Sequence, residues 1–463
     1  MVKIPNRLED LYPATAIEKI LEAIQQPDIS GRVRETLNKV GLRDVNPLEQ
    51  VQHAWQQARS WLDSMAGDAN WDRDPLLINA TGKLFSSDLG SVPVSSSIAQ
   101  VFVKHATRFH DPGIHDRQVE NTLRHEFQST GCFAGSVSAA LRHLIGNRQV
   151  LIAKTDLVRI PGLGNVASML AGLQVIEVGP ANGCSSQDWQ SALNNSADSE
   201  SCVLLVSPNT LSAADGQQQN TSAIDAAKQS SVPVFELSAD VVLHEALTEK
   251  LDMPRLGCSD GITALIAPLH LLLAAPTGAL VLGEELKIEA LRAALQESGD
   301  ALAWPQAAAA MVAIQLPSLQ EDLGSGSLPL MLVNSENLKD RAERIAIQLN
   351  GVGPVKSAQA ISRQANLGEA PWNRYSLENW AVELDCGHGT QKLADELSVG
   401  RSEEEDALPA IKCIVKGDKI ILDLRFVDPQ DDHLLVTSIL GPMPAEEASH
   451  SNGPIHGELV DEE

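Results

Sequence analysis

Aromatic side chains are scarce: two Tyr, seven Phe and seven Trp make up 3% of 463 residues. So few flat rings argue against a groove that stacks single-stranded bases. Positive charge is short as well. The 35 Lys and Arg stand against 61 Asp and Glu, a formal net charge of -26, which repels a polyanion at long range unless a local basic face overrides the mean. The cysteines (Cys132, Cys184, Cys202, Cys258, Cys386, Cys413) lie far apart, with no CxxC pair and no zinc spacing. That excludes a disulfide framework and leaves reduced, mostly buried thiols. No uninterrupted apolar run is long enough for a membrane span: the longest, Leu265 to Leu282, contains Pro268, His270, Pro276 and Gly278 and reads as buried core. Met1 to Arg7 has no apolar stretch after its basic residues, so no secretory signal is read and a cytoplasmic location is expected.

What is present is ample length for several units. Ile17, Ile20, Leu21 and Ile24 recur at helical spacing, as do Val51 and Trp55, which predicts a helical amino-terminal domain over residues 1–75. From residue 76 to 323 short apolar strands alternate with helical stretches. The strands are expected at Val150 to Ala153, Gln174 to Val178, Cys202 to Val206, Val232 to Phe235, Ile262 to Ile266 and Ala279 to Leu282. This alternation predicts a large α/β domain, its parallel sheet covered on both faces. After the Gly/Ser-rich Gly324 to Ser327, residues 324–442 read as a small α+β domain. It holds a strand at Leu330 to Val333, a helix through Ala342, Ile345 and Leu349, a strand at Trp380 to Leu384, a helix near Leu393, and a hairpin of Ile411 to Val415 with Ile420 to Leu424. Residues 443–463 carry acids and no Lys or Arg and read as a disordered tail.

The run Ile78-Asn79-Ala80-Thr81-Gly82, followed by Leu89-Gly90, Pro93 and Ser95, resembles the opening motif of the bacterial L-seryl-tRNA(Sec) selenium transferase (selenocysteine synthase) family. Val150 to Gly179, ending in Glu177-Val178-Gly179, Trp380-Ala381-Val382, and Ile420 to Arg425 with Pro429 resemble later parts of the same family. The resemblance implies the type I pyridoxal-phosphate-dependent transferase (aspartate-aminotransferase) fold and a dimer or larger homo-oligomer. It also implies an enzyme that replaces the serine hydroxyl on tRNA(Sec) with selenium. In such enzymes a lysine forms the Schiff base, a carboxylate pairs with the pyridine nitrogen and amides at a helix start hold the phosphate.

Residue by residue, these parts are changed. The family's Asp-Lys pair falls on His270 and Leu271, and a leucine forms no imine; the nearest lysines, Lys250 and Lys287, read as loop and helix. The family's ring-binding aspartate falls on Leu237, with Glu236 and Asp240 as the neighbouring carboxylates. The phosphate cradle shrinks to Gly135 and Ser136, at a helix expected to begin near Ser138, and Arg117 alone matches the family's basic loop. Glu321 to Leu328 repeats the look of the family's aspartate motif, out of order, and reads as linker.

Two His-Asp pairs, His110-Asp111 and His115-Asp116, flank Pro112-Gly113; they read as a solvated turn, not as metal ligands. Cys132 reads as a buried structural thiol. Three functions stay open: a catalytically degenerate relative that binds a partner such as an active homologue; an active transferase with displaced groups; and a small-molecule or anion binder using the old cofactor cleft. The acidic balance, which extends to the front domain, disfavours tRNA as a partner, and no cofactor or metal is assigned from the residues themselves.

Overall fold

The computed structural model describes residues 77–89, 92–109, 111–196, 200–319, 327–400 and 408–440, all within the second of the chain's two units, Pro75–Glu463. The expected helical front domain, the acidic tail, His110 and the linker Glu321 to Gly326 lie outside the described residues.

Two short strands come first, β1 (Leu77–Asn79) and β2 (Lys83–Phe85). The large sheet follows with β3 (Thr130–Ala134) and β4 (Gln149–Ala153). A separate small hairpin, β5 (Arg159–Ile160) and β6 (Gly164–Asn165), stands after β4. The sheet resumes with β7 (Val175–Val178), β8 (Ser201–Ser207), β9 (Val234–Ser238), β10 (Ala264–Pro268) and β11 (Ala279–Gly283). Its seven strands run in the order β3-β11-β10-β9-β8-β4-β7. All six strands expected from the apolar runs are present within a few residues of their predicted bounds.

Two features depart from expectation. Strand β11 is antiparallel to both β10 and β3, so the sheet is mixed. The ten residues between β10 and β11 make only turns, too little chain for the helical crossover that a parallel pair needs. Strand β3, just ahead of the expected phosphate cradle at Gly135 and Ser136 and not among the strands expected from the sequence, is buried along its whole length. Its Gly131 is the reason: a β-carbon there would lie 2.7 Å from Leu282 Cδ2, so the glycine that looks like a turn signal is the residue that admits β11.

The sheet is apolar on both faces, as a strand covered on two sides requires. Along β8, Cys202, Leu204 and Val206 enter one core while Val203 and Leu205 enter the other. Helices such as Ala213–Ser230 and Glu285–Ser298 supply the covering layers.

The carboxy-terminal part opens with a helix, Ser327–Leu332, where a strand at Leu330 to Val333 was expected. A short apolar run fits either state; here Val333 N–H closes a helical turn on the Pro329 carbonyl, and Met331 is fully buried. The helix Ser335–Leu349 buries Ala342, Ile345 and Leu349 as its spacing predicts. Next come β12 (Ser357–Gly368) and β13 (Ser376–Asp385), the helix Thr390–Val399 and then β14 (Ala410–Lys412), β15 (Ile414–Lys416) and β16 (Lys419–Asp423). A five-stranded sheet has the order β15-β16-β13-β12-β2.

The expected hairpin is β15 and β16 around Gly417, at φ +61°. Its first arm is short because β14 leaves to pair in parallel with β1, Leu77 opposite Ala410. With β2 on β12, residues 77–85, expected with the large domain, are stitched into the carboxy-terminal sheets. Among the described residues no helix is long and apolar enough to cross a membrane.

Candidate functional site at the strand ends

From β4 the chain moves outward to β7, then returns to add β8, β9 and β10 on the other side of β4. The direction of winding reverses between β4 and β8, and in open α/β sheets ligands bind in the crevice outside the carboxyl ends of the strands at that point. The loops that follow β4, β8, β9 and β10 therefore form the candidate site.

Leu271 stands in the turn after β10 and is 1% exposed. The β5–β6 hairpin lies directly over it: a β-carbon at Gly162, φ +85°, would sit 2.9 Å from Leu271 Cδ2 and 3.3 Å from Phe85 Cδ1. His270 beside it donates Nε2–H to the Gly162 carbonyl at 3.0 Å. Burial lowers its pKa against the pull of that bond, and Nδ1 is buried without a partner.

At the end of β9, Leu237 is fully buried and registers with Val206 and Ile266; the position of a ring-binding carboxylate is core. Glu236 points to the opposite face, where burial and then the charge of Asp240 push its carboxyl up to about 7. Asp240 is buried at the crevice, and its carboxylate is already engaged. It accepts from Ser207 Oγ at 2.7 and 2.8 Å and from the Tyr375 hydroxyl at 2.5 Å. Burial raises its pKa while the Tyr375 and Ser207 bonds pull it down.

The anion cradle is also committed. Gly135 N–H donates to the Asp300 carbonyl at 2.7 Å. Ser136 is the N-cap of the helix Val137–Ile145, its hydroxyl accepting from Ala139 N–H at 3.0 Å, the capping role such a residue ordinarily has. Arg117 lies exposed on the helix Pro112–Phe127 and donates Nε–H to the Gly113 carbonyl of that helix. No hydrogen bond or ion pair described for these three residues brings them together.

Asp111 caps that same helix, accepting from Gly113 and Ile114 N–H at 2.9 and 3.3 Å, so Pro112-Gly113 opens a helix where a solvated turn was expected. The leftover motif residues meet elsewhere. His115, Asp116 and Cys132 line a cleft of about 300 Å³ with Phe133, Arg292 and Trp304. His115 stacks on Trp304 at 3.5 Å, Asp116 accepts from Gln296 at 2.8 Å, and burial pushes the Cys132 thiol up to about 12. Among the described residues no group of three His, Cys, Asp or Glu is placed to hold a metal.

Two elements of the site were not read from the sequence. The first is a knot around Asp156, fully buried after β4. It accepts from Val206 N–H at 3.0 Å, Asn209 Nδ2 at 3.0 Å, Gln219 Nε2 at 3.1 Å and Thr155 Oγ1 at 3.1 Å. Burial lifts its carboxyl to about 6 against those bonds. The second is the turn from Trp372 to Tyr375. Trp372 is fully buried, with Nε1–H donating to the Pro161 carbonyl at 3.0 Å and its ring 4.3 Å from Phe85. Arg374 donates to the carbonyls of Asn209 and of Leu211, the latter at 2.7 Å. Pro371-Trp372-Asn373-Arg374-Tyr375, a dense aromatic and cationic run in an aromatic-poor chain, was the available signal.

These residues do not fit pyridoxal phosphate held as a lysine aldimine. The turn after β10 offers no amine, and the carboxylate at the end of β9 is spent. Lys250 lies on the helix Glu245–Leu251, where a loop was expected, with Nζ 3.4 Å from the Met331 carbonyl. Lys287 lies on the helix Glu285–Ser298.

No protein-family model and no curated protein matches the chain. Among solved structures it is similar to a D-glucosaminate-6-phosphate ammonia-lyase, with a TM-score of 0.57 at 17% identity over 82% of this chain and 97% of that one. Two serine palmitoyltransferases follow. The one from S. paucimobilis, with a bound PLP-myriocin aldimine, gives a TM-score of 0.42 at 12% identity over 79% and 86% of the two chains. The one from Sphingomonas wittichii gives 0.39 at 10% over 86% and 98%. Strand order, the antiparallel β11 and the ammonia-lyase likeness together make this the type I pyridoxal-phosphate-dependent transferase fold.

Proposed function

We propose that the chain is a catalytically degenerate relative of the L-seryl-tRNA(Sec) selenium transferase family that acts in the cytoplasm by binding or assembly. The observation that carries this reading is Leu271, seated in the turn after β10 beneath Gly162 and Phe85, where a Schiff-base lysine would be required. Leu237 in the core and the committed amide of Gly135 support it. An excess of 26 negative charges opposes tRNA as a partner, and the partner proposed is a second copy of this chain or an active homologue.

The test is trapping. The full chain is incubated with pyridoxal phosphate, its aldimine absorbance followed, and the mixture reduced with borohydride and weighed by mass spectrometry. No covalent adduct is expected; a stoichiometric adduct on one lysine overturns the reading. Sedimentation across a range of concentrations then reads self-association. Tight, salt-dependent binding of tRNA would favour an active transferase instead, and saturable binding of free pyridoxal phosphate without trapping would favour a ligand binder.

A further inference from the structure

The crevice between β4 and β8 is lined by acceptors. The loop after β4 presents the Pro161 carbonyl, the loop after β8 the carbonyls of Asn209 and Leu211, and the loop after β9 the Asp240 carboxylate. Each is met by a donor from one turn of the carboxy-terminal sheet: the Trp372 indole N–H, the Arg374 guanidinium and the Tyr375 hydroxyl. Glu369, at the other end of the turn, donates its amide to the Phe85 carbonyl and accepts from Ser86 and Ser87 hydroxyls. Trp372 buries its whole ring there. A flat, apolar body with a donor at its edge, held by carbonyls at the switch point of the sheet, is how a small ligand would be bound in such a crevice.

We propose that residues 369–375 are an intrachain plug in the switch-point crevice, that the plug and the β5–β6 hairpin open as one unit, and that the vacated crevice accepts a flat aromatic of indole size.

The coupling follows from what the indole covers. Ile160 anchors the base of the hairpin in the core, and its tip is held by Trp372 Nε1–H on Pro161, by His270 on Gly162, and by the Leu271 and Phe85 side chains under Gly162. Removing the indole leaves a buried carbonyl unpaired and takes away Phe85's partner, and an orphaned buried acceptor shifts the balance toward a lifted hairpin in which water satisfies it. Tyr375 reaches the hairpin through its own turn: its amide donates to the Trp372 carbonyl, its ring lies 6.4 Å from the indole, and its hydroxyl anchors the turn on Asp240. The inference stands on these contacts and on sheet topology, so a trapped aldimine would overturn the function proposed above and leave this coupling open to measurement.

Native-state hydrogen exchange of the full chain tests it, using Trp372→Phe, which keeps a ring and drops the donor, and Tyr375→Phe, which drops the bond to Asp240. The reporting amides are Leu163 and Val166 in the hairpin region and Trp372 and Tyr375 in the turn, all hydrogen-bonded in the native chain. Both variants should speed exchange in both segments together by about tenfold, the size of one lost bond, with β13 and β16 unchanged. If Tyr375→Phe loosens only its own turn and leaves Leu163 and Val166 as in the wild type, the plug is not a unit and the proposal fails. Trp372→Ala should bind indole and regain protection on doing so, and the wild type should bind it at least about tenfold more weakly. A folded Trp372→Ala that ignores indole, or a wild type that binds it equally well, overturns the site; if this variant does not fold, Trp372→Leu takes the same indole test.

Discussion

Leu271 and Gly162 occupy each other's space: a β-carbon on Gly162 would stand 2.9 Å from Leu271 Cδ2, and the glycine's φ of +85° lets the hairpin turn over the leucine at that distance. The pair closes the turn after β10 from above, and restoring the missing lysine alone does not reopen it. In Leu271→Lys the ammonium enters an apolar pocket beneath Gly162 and Phe85. Burial of an unpaired charge costs roughly 3 kcal/mol or more, and the amine is driven toward its neutral form. Urea unfolding should show that loss, and the variant should still give no aldimine absorbance with pyridoxal phosphate. A stable variant with a full aldimine band would mean that the hairpin is not the barrier.

Acidity is the second handle. Burial lifts Asp156 and Asp423 to about 6 from 3.8, and Glu236 to about 7 from 4.5. Each folded-state carboxyl holds its proton more tightly than the unfolded chain does. Between about pH 4 and pH 7 the unfolded state therefore gives up protons first, and stability falls as pH rises through that window and levels off above it. Self-repulsion from a net charge of -26 acts in the same direction. The thermal midpoint should be higher at about pH 5 than at about pH 7.5. In Asp156→Asn the slope between about pH 4 and pH 6 should shrink, with an overall loss of about 1–3 kcal/mol because the amide cannot accept all four bonds. An unchanged slope would remove Asp156 from the account.

The large sheet was legible because its strands are buried on both faces and so read as continuous apolar runs, Cys202 to Val206 most plainly. What escaped did so for physical reasons. Gly131 is a close-approach glycine inside β3, and by sequence such a glycine looks like a turn. Strand β12 has no fully buried residue before Ala365, so its first eight residues offer no clear apolar alternation to read. The losses at Leu271 and Leu237 were visible as residue types, but their burial beneath Gly162 and between Val206 and Ile266 depends on packing across distant segments. The same holds for Asp240, whose carboxylate could be judged free or spent only once Tyr375, 135 residues away, was in place.

The fold gives Gly82 a role that the motif alone does not show. It closes the Ile78 to Gly82 motif, and the structure seats it against Asp423 from the Ile420 to Arg425 motif, the other end of the family likeness. A β-carbon on Gly82 would lie 2.3 Å from Asp423 Oδ2 and 2.4 Å from its Cγ, at φ +69°. Asp423 is buried, accepts from Asn379 Nδ2 at 2.5 Å and from Arg425 N–H at 3.2 Å, and lies 3.8 Å from Arg363. Gly82→Ala must therefore displace a buried carboxylate as well as strain the backbone. The strain costs about 1–2 kcal/mol and the broken charge-assisted bonds about 1.5–3 more. Gly351→Ala separates the two effects, because Gly351 has φ +74° with nothing within 4 Å of the new β-carbon and so carries the strain alone. Urea unfolding of both variants should place Gly82→Ala well below Gly351→Ala. Equal losses would mean that the glycine serves only the backbone and that Asp423 can move aside, which would break the structural link between the two motifs.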